Sequence, residues 1–126
     1  ARVILGHTAQ EIVEAPGVVR RCMDMGATFL STNLRLDESP TFYRRLVDGI
    51  SRLFDDGYGD RLALGLDWAF ENESGAFIPC SYMPPPPYVY MFTHTLPRLR
   101  ELGLAEAAIE RMLVHNPARL LPVQAV

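Results

Sequence analysis

An α/β fold built on a parallel sheet is predicted by three observations. Short apolar runs alternate with stretches of helical periodicity, each run closes at a glycine or a polar turn, and every connection between runs is long enough for a crossover. The runs are residues 3–5, 27–31 and 62–66. Strand, helix, strand, helix, strand, helix is therefore the predicted order, with right-handed βαβ units.

Each element has a local reason. Val3, Ile4 and Leu5 form a β-branched-rich run closed by Gly6, with His7 and Thr8 just past its carboxyl end. Ile12, Val13, Val18, Val19, Cys22, Met23 and Met25 keep roughly helical spacing, with Pro16 in the first turn of the main helix and Gly26 as its cap. After the second strand a polar loop leads through Asn33, Arg35, Asp37 and Glu38 to Ser39-Pro40, an N-cap followed by proline at the first helical position. Phe42, Tyr43, Leu46, Val47, Ile50, Leu53 and Phe54 then form one apolar stripe, ending at Gly57. Residues 71–87 are expected to be a proline-rich loop after the third strand, either a rigid border of a binding site or, through Pro84 to Pro87, a polyproline II ligand. A short helix over 96–102 and a final one over 105–115, stopped by Asn116-Pro117, complete the reading.

Composition narrows the function. The chain has 126 residues, 48% hydrophobic and 21% charged, which bounds it to one domain spanning 1–126. A net charge of −3 and a pI near 5.5 offer no basic field for nucleic acid or anionic lipid. All 12 basic residues are arginine. Cys22 and Cys80 lack metal-knuckle or disulfide spacing, no apolar run is long enough to span a bilayer, and the start at Ala1 lacks signal-peptide features. The expected location is cytoplasmic.

Sites of parallel α/β folds lie at the carboxyl ends of the strands, where His7, Asn33 and Asp67 all fall. Asp67 closes the apolar run 62–66, so its carboxylate needs a partner or water. An imidazole and a carboxylate at one rim can hold a divalent metal such as zinc, with Asp67 handling the proton of a metal-bound water. By spacing alone the metal signal is weak, because a strand-end aspartate is often a helix cap and a lone histidine is often a satisfied polar residue.

The segments "GYGDRLALGLDWAF", "LPRLRELGL", "MLVHNPARLL" and the opening "VILGHT" resemble the phosphotriesterase-like family of the amidohydrolase superfamily, which are (β/α)8-barrel metal hydrolases. The resemblance implies a partial TIM barrel, roughly the last three βα units with strands six to eight, and thus the C-terminal part, or fragment, of such an enzyme. It implies His7 as a ligand of one metal of a binuclear, most plausibly zinc, centre. Asp67 would be the ligand of the other and the proton shuttle, with Trp68 and Phe70 lining the substrate pocket. Hydrolysis would then proceed by a metal-bound hydroxide on a small-molecule lactone, ester or phosphotriester.

The family's remaining ligands, three histidines and a carboxylated lysine from earlier strands, have no counterpart here, because His94 and His115 read as structural and the chain has no lysine. Gln10 replaces a relay carboxylate, Leu34 stands where a histidine or arginine is usual, and Arg35 reaches the substrate only in a shifted register. Relative to the family pattern, two extra residues lie between His7 and Gly26. These departures favour lactone or other ester hydrolysis over phosphotriester hydrolysis, and a chain not catalytically competent alone.

A barrel wedge would leave strand edges open, predicting a homo-oligomer with the first strand of one copy beside the third of another. The alternative function is a non-catalytic oligomerising α/β domain.

Overall fold

The computed structural model describes residues 3–32, 34, 39–65 and 87–121. Three short strands, β1 (Ile4–Leu5), β2 (Thr28–Ser31) and β3 (Leu62–Leu64), pair in parallel in the order β1-β2-β3. Ile4 lies opposite Thr28, and Phe29 opposite Leu62. Helices α1 (Ala9–Glu14) and α2 (Pro16–Asp24) connect β1 to β2, and α3 (Pro40–Asp55) connects β2 to β3.

Side-chain alternation divides the sheet. Leu5, Phe29, Leu62 and Leu64 join one apolar core with Ile12, Val19, Met23, Leu46, Ile50 and Leu53 from the helices. Ile4, Thr28, Leu30 and Ala63 alternate with them on the opposite face and take no part in that core.

The helix boundaries follow local chemistry. Ser39 adopts an extended backbone and its Oγ accepts from the main-chain N–H of Phe42 at 3.2 Å, which caps α3 as its sequence predicts. Pro16 begins α2, and Gly26 and Gly57 close α2 and α3 with φ of 98° and 88°, backbone that glycine adopts freely. The first helical stretch is longer than the sequence predicts, because α1 is a helix of its own before the break at Ala15.

The C-terminal half departs further from expectation. Helix α4 (Pro87–Tyr90) begins within the stretch read as a loop, and a π turn (Met91–Thr95) links it to α5 (Leu96–Glu101). After α6 (Glu106–Glu110), a second π turn (Arg111–His115) leads into α7 (Asn116–Leu120), so Asn116-Pro117 does not end the helix. Both π turns come just before a proline. Proline lacks the N–H that a helix interior needs and crowds the preceding carbonyl, and a locally widened turn accommodates it. The main-chain N–H of Leu96 accordingly reaches back to Met91 and that of Asn116 to Arg111.

The amino ends of the strands are tied by polar contacts. Buried Asn116 donates from Nδ2 to the carbonyls of Gly59 at 2.7 Å and Leu62 at 2.6 Å. Arg111 pairs with Asp60, Arg119 donates to the Asp60 carbonyl, and Arg61 donates to the Gly26 carbonyl at 2.9 Å. The "NPAR" and "GYGDR" segments thus grip one another. Residues at this end of a parallel α/β unit contribute to stability, leaving the opposite end for chemistry.

Candidate functional site

The carboxyl end of the sheet is reached through Gly6, where the chain turns sharply into His7. Its φ is 59°, the sole positive φ of a non-glycine residue among those described. This left-handed region is sparsely populated by residues with a side chain and costs about 1 kcal/mol. Such a backbone persists when its surroundings hold it, and it gathers at functional sites. Here the main-chain N–H of His7 donates to Oγ1 of Thr32, the first residue past β2, at 3.2 Å. Thr32 is only 6% exposed, whereas His7 is exposed. A buried hydroxyl on one strand end thereby holds the backbone of a solvent-facing imidazole on the next.

Two more hydroxyls line this end. Thr8 and Ser31 are buried, and neither oxygen has a hydrogen-bond partner among the described residues. The described rim therefore carries three buried hydroxyls, Thr8 after β1 and Ser31 with Thr32 at the end of β2, above a largely apolar sheet. Thr32 was not singled out by sequence reasoning. The available signal was a threonine directly after a strand predicted to end at the rim.

The other predicted site residues are distributed unevenly. Asp67, Trp68, Phe70, Arg35 and Asn33 lie outside the described residues. Leu34 is 2% exposed and belongs to the apolar core, so that position adds no polar group to the rim. Gln10 donates from Nε2 to Glu14 at 3.0 Å, directed along α1. His115 is exposed on the second π turn, 3.6 Å from Glu110. Cys22 is a free, half-buried thiol and Cys80 lies outside the described residues. Among the described residues no three His, Cys, Asp or Glu side chains gather as a metal site, and no helix is long and apolar enough to cross a membrane.

A parallel sheet with helices packed on one of its faces defines a set of βα units. The sequence pattern of the Phosphotriesterase family matches residues 1–121, and the chain belongs to that family. Its fold is similar to that of the phosphotriesterase from Mycobacterium tuberculosis, with a TM-score of 0.64 at 18% identity over 94% of this chain and 36% of that one. Two mutant forms of organophosphorus hydrolase from Deinococcus radiodurans give TM-scores of 0.63 and 0.64 at 25% and 23% identity, over 94% of this chain and 37% of theirs. The chain thus spans about a third of the length of these solved structures and is a partial phosphotriesterase-like chain. Comparison with curated proteins found no match.

Proposed function

We propose that this chain is the C-terminal third of a metal-dependent (β/α)8 hydrolase, with β1, β2 and β3 as the sixth, seventh and eighth barrel strands. The supporting observation is His7, held in a left-handed backbone at the carboxyl end of β1 by the buried hydroxyl of Thr32. The described residues do not by themselves make a metal site, so the ligand set requires Asp67 and groups from strands that this sequence lacks. A divalent metal such as zinc would supply Lewis acidity toward a scissile ester bond.

This chain's own share is positional. His7 presents an imidazole to the rim without a flexible backbone beneath it, and Asp67 accepts a proton on its carboxylate. Trp68, Phe70 and Arg35 contribute to the substrate pocket. The Deinococcus relatives are organophosphorus hydrolases. Leu34 in the core and Gln10 turned toward Glu14 favour lactones or simple esters here. The 126 residues alone should not turn over substrate.

Asp67→Asn tests the assignment. The substitution should change folding stability by no more than about 0.5 kcal/mol, the range of a substitution that breaks no structural contact, while weakening zinc uptake. A large loss of stability would instead mark Asp67 as a structural cap.

The second reading, a non-catalytic oligomerising domain, draws on β1. This strand pairs only with β2 among the described strands, and Val3 and Ile4 beside its edge are 51% and 43% exposed.

A further inference from the structure

We propose that the groove beside the π turn Met91–Thr95 binds a small hydroxycarboxylate, whose hydroxyl donates to Nε2 of His94 while Arg98 takes its carboxylate. None of the rim residues His7, Thr8, Ser31 or Thr32 borders this groove. The groove, of about 420 Å³, lies between the first turns of α3 and the π turn with α5, and Tyr43, Tyr90, Thr93, His94 and Arg98 all border it.

Recognition turns on which nitrogen of His94 carries the hydrogen. A threonine hydroxyl has one proton, and Oγ1 of Thr93 lies 3.1 Å from the carbonyl oxygen of Val89, a group that only accepts. The same oxygen lies 2.8 Å from Nδ1 of His94. We assign the Thr93 proton to Val89, so that Thr93 accepts from Nδ1 and Nδ1 carries the imidazole hydrogen. The neutral ring then keeps its lone pair on Nε2. Nε2 has no hydrogen-bond partner among the described residues, and His94 is exposed. The ring is held flat against buried Tyr90, with centroids 4.6 Å apart and planes 6° from parallel.

Arg98 supplies the second half of the recognition. It follows His94 by four residues, a spacing that places both on one helix face. Its present partner is Glu101, at 3.2 Å on an exposed surface, and such a pair contributes little, so the guanidinium can exchange Glu101 for a ligand carboxylate. A fixed acceptor beside an exchangeable cation selects a molecule carrying both a donor hydroxyl and an anion. The π turn is not sufficient for this. The turn Arg111–His115 has the same geometry, yet His115 there only approaches Glu110.

The test is NMR of the full chain with labelled histidine and arginine, titrated with β-hydroxybutyrate and, separately, butyrate. The expected result is the Nδ1–H tautomer of His94 in the free protein, and shifts at His94 and Arg98 on adding β-hydroxybutyrate. Butyrate should bind roughly fivefold more weakly, the factor for one lost hydrogen bond. Thr93→Val should move the ring toward the Nε2–H tautomer and weaken β-hydroxybutyrate by a similar factor. An Nε2–H tautomer in the unaltered chain, equal binding of the two acids, or no shift at His94 would overturn the proposal.

Discussion

The main-chain N–H of His7 donates to Oγ1 of Thr32 across the carboxyl ends of adjacent strands, and this one contact joins a left-handed backbone to a buried side chain. A residue in that conformation sacrifices stability relative to glycine. His7→Gly should therefore stabilise the fold by about 1 kcal/mol, measured by urea denaturation, while removing the proposed ligand. A destabilised His7→Gly variant would show that the imidazole has a structural role.

Asn116 offers a sharper stability test. Asn116→Ala leaves the carbonyls of Gly59 and Leu62 without their donor and should cost about 2 to 4 kcal/mol. Asn116→Asp should cost more, because a carboxylate would face two carbonyl oxygens. Equal denaturation midpoints for the three proteins would remove the clamp from the account.

Gly49 lies inside α3, where helix propensity alone predicts a gain of about 1 kcal/mol for alanine. A Cβ there would stand 2.9 Å from Cγ2 of Ile12 and 3.4 Å from its carbonyl oxygen, on the closely packed α1. The collision should win, giving a net loss of about 1 kcal/mol for Gly49→Ala in thermal unfolding. A gain would mean that α1 can yield.

Stability should also respond to pH at both extremes. The hydrogen bond from Tyr58 to Asp24, 2.7 Å long, raises the phenol pKa above its ordinary 10.0, with burial adding to the effect. Its contribution is full below pH 10 and is lost as pH rises through the higher folded-state value. Conversely, the hydrogen bonds from Arg100 lower the Glu106 pKa below 4.5, so that contribution is present above 4.5 and is lost as pH falls through the depressed value. Tyr58→Phe should flatten the alkaline limb of a stability profile and Glu106→Gln the acid limb. Each substitution should leave the other limb unchanged.

Among the described strands β1 pairs only with β2, and this edge predicts self-association. Size exclusion at micromolar concentration should show a species larger than one chain, and Ile4→Lys on the exposed strand should shift it toward the monomer. A stable monomer of the unaltered chain would exclude edge pairing.

Much of this architecture is legible residue by residue. Ser39-Pro40, Pro16, Gly26 and Gly57 punctuate the chain through backbone chemistry that is local, so the elements they bound appear nearly where expected. Pro97 and Pro117 mislead for a physical reason. The rule that proline breaks a helix is also local, whereas the π turns that absorb these prolines belong to helices held by packing of Leu96, Leu99, Ile109 and Met112 in the core. Asn116 similarly reads as part of a stop signal, because its partners at Gly59 and Leu62 are more than 50 residues away. At the site, the position of His7 past a strand end was legible, but its backbone conformation and its tie to Thr32 depend on strand register.

The most direct measurement is a zinc titration of the chain followed by the ring resonances of its three histidines, with bound metal counted in parallel. The account predicts weak uptake, below one equivalent per chain, in which the His7 signals move first and which falls in His7→Ala. Two tightly held equivalents, or uptake that leaves His7 unshifted and survives its replacement, would contradict it.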